Sequence, residues 1–114
     1  MSKLFAICAP ILPGKEKTWR DFINEVNNKY KSSYTESRRN LKVRERTFHQ
    51  ATPMGEIVII TLEGDNPADA FKKFAAADDE FTKWFTGKVK EIHGIDLSAP
   101  PQGPMPVMMV DSGA

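Results

Sequence analysis

The sequence has little with which to do chemistry. It holds one cysteine, Cys8, and two histidines, His49 and His93. A single cysteine cannot form an internal disulfide, which points to a reducing, cytoplasmic compartment. A closed zinc site would have to complete itself with carboxylates, and the His93–Asp96 spacing is common by chance, so no metal site is expected. There is no glycine-rich phosphate loop, no GxSxG and no CxxC, and no cofactor is expected. An excess of one charge is missing as well: sixteen basic and fifteen acidic side chains leave a net charge of +1. That balance speaks against nucleic acid as a partner, which would require Lys15, Lys17, Arg20, Arg38 and Arg39 to form one basic stripe. No apolar run approaches the ~20 residues of a membrane span. The run Leu4 to Ala9 is cut off by Pro10 and Pro13 and reads as a first β-strand rather than a signal peptide.

What is present is architecture. At 114 residues the chain can form one domain with a real core. Its centre is the stretch Val43 to Glu63. Glu56 to Glu63 carries Ile57, Val58, Ile59, Ile60 and Leu62, more apolar residues than alternation gives, so a strand buried on both faces is expected. Val43 to Ala51 mixes β-formers with charge, and Thr52-Pro53-Met54-Gly55 between the two runs is a turn. A tight turn pairs Ala51 with Glu56, Phe48 with Ile59, Arg46 with Thr61 and Arg44 with Glu63. The last pair places opposite charges across the strands. Val43, Glu45, Thr47 and His49 then share a face with Val58, Ile60 and Leu62.

Around this hairpin the other elements follow in order. Lys3 to Ile11 is a strand, expected to be central in the sheet, with Cys8 a small buried hydrophobe inside it. Trp19, Phe22, Ile23, Val26 and Tyr30 make one helical stripe, which Tyr34 extends by a turn. Beyond Ser32-Ser33 either the helix runs on with a solvated end or a second turn carries Arg38 and Arg39. That basic pair suits a helix C-terminus. Asn66, Pro67 and Asp69 open a short helix through Phe71 and Phe74. Asp78 or Asp79 caps a third helix bearing Phe81, Trp84, Phe85, Val89 and Ile92, which Gly94 stops. From Asp96 the composition changes, and Pro100, Pro101, Pro104 and Pro106 are half of the chain's eight prolines. Residues 1–98 are read as the folded domain. Residues 99–114 are read as a Pro-rich arm, with Val107 to Val110 a short final strand or an apolar hook docked on a neighbouring surface.

The order strand, helix, strand, strand, helix pair, short strand is the ferredoxin-like β-α-β-β-α-β pattern with its second helix split. The segments PGKEKTWRDF, SRRNLKVRERTFHQATPMGEIVII, DDEFTKWFTGKVKEIHGIDL and PPQGPMP, spread over the chain, resemble the dimeric α+β barrel superfamily. That group includes stress-responsive barrel proteins and antibiotic-biosynthesis-type monooxygenases, and the likeness is strongest to a small uncharacterised bacterial family within it. The resemblance implies an α+β ferredoxin-like sandwich that forms a dimeric α+β barrel, as a homodimer through its sheet faces. It also implies a cleft between sheet and helices for a small aromatic or carboxylate-bearing molecule. No catalytic motif of the monooxygenase branch maps onto this chain, and fold-level likeness does not carry chemistry with it.

The site candidates are few. His49 is the candidate acid or base. Glu45 shares its face but lies ~13 Å along the strand, too far to orient it, so a partner must come from a helix or a second subunit. Arg44 and Arg46 share the opposite face and either bind a carboxylate or pair with acids such as Glu63. Trp19, Trp84 and Phe85 are candidates for the cleft wall. The expected function is small-molecule binding in that cleft. The alternative is a non-catalytic interaction module with a filled interior.

Overall fold

A computed structural model of the chain describes residues 3–99 and 105–113. It is an α+β structure: β1 (Lys3–Pro10), α1 (Glu16–Asn27), α2 (Lys31–Asn40), β2 (Val43–Thr52), β3 (Gly55–Gly64), α3 (Pro67–Ala76) and α4 (Glu80–His93). The strands form one antiparallel sheet in the order β1-β3-β2. The expectation that the first strand is central is therefore corrected. The most apolar strand, β3, takes the middle, and β1 lies on an edge.

The hairpin register is the expected one. Ala51 faces Glu56, Phe48 faces Ile59, Arg46 faces Thr61 and Arg44 faces Glu63. The Thr52 hydroxyl accepts from the Met54 N–H at 3.2 Å and donates to the Gly55 carbonyl at 2.6 Å, which ties the two-residue turn together. The ion pair across the strands is not the directly opposed one. Arg46 reaches Glu63 diagonally at 3.1 Å. Gly64, which ends β3, is required by close approach: a Cβ there would lie 2.5 Å from the Lys42 carbonyl oxygen.

Strand alternation gives the sheet two unlike faces. On one, Val58 and Leu62 are buried under the helices, beside Ile60. The core there gathers Ile11, Trp19, Phe22, Val26, Val58 and Ile92. The other face carries Leu4, Cys8, Ile57, Ile59 and Phe48, and no helix of the described residues lies over it. Leu4 is 50% and Phe48 54% exposed. Within the single chain the helices bury β3 on one face, while Ile57 and Ile59 on its other face are half-buried. Cys8, expected to be buried, is exposed on the open face, because the alternation that buries Ala9 turns Cys8 outward.

The first helix does not run on. Asn27-Asn28 are weak helix formers, and the Tyr30 N–H reaches back to the Glu25 carbonyl at 2.8 Å, across five residues. The Asn28 side chain folds back on the Asn24 carbonyl at 2.8 Å. The chain turns, and α2 starts afresh at Lys31. The later helices open and close as their sequences require. Asn66 accepts from the Asp69 N–H, Asp79 accepts from the Thr82 N–H, and Gly94 ends α4 in the left-handed conformation at φ 69°. Residues 105–111 have no regular structure, so the final strand expected at Val107 to Val110 is absent there. Val107, Met109 and Val110 are largely exposed. The prolines of the arm at 100, 101 and 104 lie outside the described residues.

Candidate functional site

Helices on one face of a sheet normally close down on it. Here they leave a cavity of about 1180 Å³ between them and the strands. Its walls are mostly apolar, with Trp19, Phe22, Ile23 and Phe85 from the helices and Val58 and Ile60 from the sheet. The strand β2 supplies the polar part, because its inward positions are Val43, Glu45, Thr47 and His49 rather than a run of hydrophobes. An apolar cavity with a few convergent polar groups is the ordinary form of a small-molecule site.

His49 has a partner that the sequence reading did not assign. Its Nε2 lies 2.5 Å from Glu56 Oε1, on the neighbouring strand. The register explains this: Ala51 faces Glu56 and His49 faces Val58, so Glu56 is the diagonal neighbour of His49 on the same face. The Arg20 guanidinium, from α1, meets the same Glu56 oxygen at 3.4 Å. Trp19 lies flat against the imidazole, with ring centroids 4.8 Å apart and planes 23° from parallel. The Glu56 contact assigns the proton of the neutral ring to Nε2 and leaves Nδ1 with its lone pair. Among the described residues Nδ1 has no hydrogen-bond partner. The ring is thus held on one side by a carboxylate and on its face by an indole. In this tautomer Nδ1 is the ring's acceptor and can take a proton.

Glu45 serves a different purpose from orienting His49. It pairs with Arg38 of α2, whose Nε lies 2.8 Å from Glu45 Oε1. Both side chains are almost fully buried, at 8% and 9% exposure. The Arg38 guanidinium also lies over the rings of Tyr34, Phe74 and Phe85, at 4.7, 4.4 and 4.9 Å from their centroids. Burial pushes the Tyr34 hydroxyl pKa well above its ordinary value, and the adjacent Glu45 carboxylate pushes it the same way. Arg38 is therefore not the solvated C-terminal charge that its position in the sequence suggests.

The remaining candidates divide. Trp19, His49 and Phe85 line the cavity together. Arg44 and Arg46 do not join them, since their alternation places them on the open face, with Arg46 held by Glu63. Trp84 is not in the cavity wall. It packs behind it, 5.4 Å from the Phe22 ring and 4.1 Å from the Tyr30 ring. His93 also borders the cavity, buried, with its Nδ1–H donating to the Pro10 carbonyl at 2.7 Å. Glu56 was legible from the hairpin register, as the acid one diagonal from His49. Arg38 had no such signal, because only the break between α1 and α2 turns it inward.

Among the described residues no group of three or more His, Cys, Asp or Glu side chains is placed to hold a metal ion. No helix among them is long and apolar enough to cross a membrane. Comparison with protein-family models, with curated proteins and with solved structures found no match.

Proposed function

We propose that the chain binds a small organic molecule in the cleft between sheet and helices, with His49 as the group that exchanges a proton with it. The observation that carries this reading is the aromatic-walled cavity of about 1180 Å³, whose lining includes His49, itself held by Glu56. The cleft is open to solvent and at the upper end of the size of small-molecule sites, about 300–1,000 Å³, whereas an interior filled by side chains would leave no such cleft. A non-catalytic interaction module with a filled interior is less favoured for that reason.

The same reading takes the protein as a ferredoxin-like α+β domain that pairs its open sheet face with that of a second copy, as a dimeric α+β barrel in the cytoplasm. Its support is the apolar surface of that face, where Leu4, Cys8 and Phe48 are exposed and Ile57 and Ile59 half-buried in the single chain. No nucleic acid or membrane partner enters the reading.

Native mass spectrometry of the gently purified protein is the test. The expected result is a dimer with an additional small-molecule mass, lost in a His49→Trp variant that fills the cleft. Bare chains from both proteins, unchanged on addition of a library of small aromatic compounds, would overturn the ligand reading.

A further inference from the structure

The charge state of the cleft wall narrows what the cleft can accept. Arg38 is the one buried cation among the described wall residues, and Glu45 already neutralises it at 2.8 Å. The other charged wall residues, Lys72 and Asp96, are exposed to solvent and opposite in sign. The buried part of the wall is thus neutral overall, yet rich in hydrogen-bond donors. A guanidinium has five N–H groups. Arg38 directs its Nε–H to Glu45 and one Nη1–H to the Ser37 hydroxyl at 3.0 Å, and the Tyr34 hydroxyl lies against the pair. Glu45, Ser37 and Tyr34 thus account for about three of the five N–H groups of a side chain that lines the cavity. No side-chain nitrogen or oxygen among the described residues is sealed from solvent without a partner, so the Arg38 nitrogens are either bonded or open to the cavity that Arg38 lines.

We propose that the ligand is uncharged: a flat aromatic molecule whose phenol or carbonyl oxygen accepts a hydrogen bond from Arg38. This inference rests on the cleft being a binding site. The aromatic walls Trp19, Phe22, Phe85 and Tyr34 supply the apolar contact for a ring. A neutral oxygen fits the remaining N–H groups without disturbing the Arg38–Glu45 pair. A carboxylate does not fit in the same way. It would bring a second negative charge beside Glu45, in a wall with no other buried cation, and an uncompensated buried charge is strongly unfavourable. Thr47 lies between Glu45 and His49 on the same face of β2. A molecule anchored at Arg38 therefore extends along the strand towards the His49 ring, ~13 Å from Glu45.

The test uses three probes that share a ring system: naphthalene, 1-naphthol and 1-naphthoate. Each is titrated into the full-length protein at neutral pH and followed by amide-resolved NMR at Thr47, Ile60 and Phe85. The expected result is that 1-naphthol binds at least about tenfold more tightly than 1-naphthoate, and more tightly than naphthalene. In the double variant Arg38→Met/Glu45→Leu, which replaces the ion pair by apolar groups of similar size, 1-naphthol should fall to the affinity of naphthalene. Equal or tighter binding of 1-naphthoate in the cleft would overturn the inference and leave the cleft standing as a binding site. Undiminished 1-naphthol binding by the double variant would overturn the role of Arg38. No binding by any of the three probes would remove the cleft reading itself, and this inference with it.

Discussion

Arg38 and Glu45 meet at 2.8 Å inside the protein, seven positions apart in sequence, under the rings of Tyr34, Phe74 and Phe85. Two desolvated charges of this kind depend on one another. Removing only the arginine strands a buried carboxylate, whereas removing both relieves the desolvation of both. Arg38→Ala should therefore cost about 3–5 kcal/mol of stability, while Arg38→Met/Glu45→Leu should recover most of that loss. Urea denaturation of the three proteins measures it. A double variant that loses as much as Arg38→Ala, or more, would show that the two side chains are not coupled.

Much of this fold is legible in the sequence because local rules decide it. The Thr52-Pro53-Met54-Gly55 turn sets the register of β2 on β3, and that register alone places His49 and Glu56 as diagonal neighbours. The caps at Asn66, Asp79 and Gly94 act where their own sequences say they should. What is not legible depends on contacts distant in sequence. Trp84 and Phe85 are adjacent on one amphipathic helix, and only tertiary packing decides that Phe85 meets the cavity while Trp84 packs tilted against Tyr30. Arg38 reads as a surface charge in any local window, and it becomes a buried one because α2 turns back over β2. Cys8 shows a third case: a short apolar strand gives no alternation signal, so nothing local says that its odd and even positions differ in burial.

His93 makes stability depend on pH. Its ring is 7% exposed and donates to the Pro10 carbonyl at 2.7 Å, and burial pushes its pKa below the usual histidine value near 6.5. In the unfolded chain the ring takes up a proton near its ordinary pKa, about 6.5. The folded protein resists that proton, so the unfolded state binds more protons in the window just below it. Stability is then highest above about pH 6.5 and falls as the pH drops towards the lower folded-state pKa. Urea midpoints across that window should show this slope, and His93→Gln should reduce it. An unchanged slope in the variant would assign the pH dependence to other groups.

Asp79 is a test of whether α4 is held at its start. One of its carboxylate oxygens accepts from the Thr82 N–H at 3.0 Å and the other from the Thr82 hydroxyl at 2.7 Å. These bonds hold its pKa below the ordinary carboxylate value. The stabilisation they give is present above the unfolded-state pKa and is lost as the pH falls through the lower folded one. Asp79→Ala should cost about 1 kcal/mol at neutral pH, and Asp79→Asn much less, because an amide oxygen also caps. Thermal denaturation followed by circular dichroism distinguishes them. Equal losses would mean that the negative charge, rather than the cap geometry, is what matters.

Ile59 and Ile60 are adjacent in sequence and opposite in position, and the pair separates the two sides of the sheet. Ile60 faces the helices and packs against the core beside Val58. Ile59 lies on the open face, directly across from Cys8 on one side and Phe48 on the other. Ile60→Asp puts a carboxylate under the helices, where it has no cation of its own. It should destabilise the fold by about 2–5 kcal/mol or abolish soluble expression. Ile59→Asp sits half-buried beside Cys8 and Phe48, on a face that no helix of the described residues covers, so the folded monomer should tolerate it at a cost of about 1 kcal/mol. In a sheet-to-sheet dimer the same carboxylate is forced into the apolar seam, next to its symmetry mate, and the dimer should fail. Light scattering after size exclusion should therefore show a dimer for the parent chain and a folded monomer for Ile59→Asp. A parent chain that is already monomeric, or an Ile59→Asp variant that still dimerises, would mean that the open face is not the dimer interface.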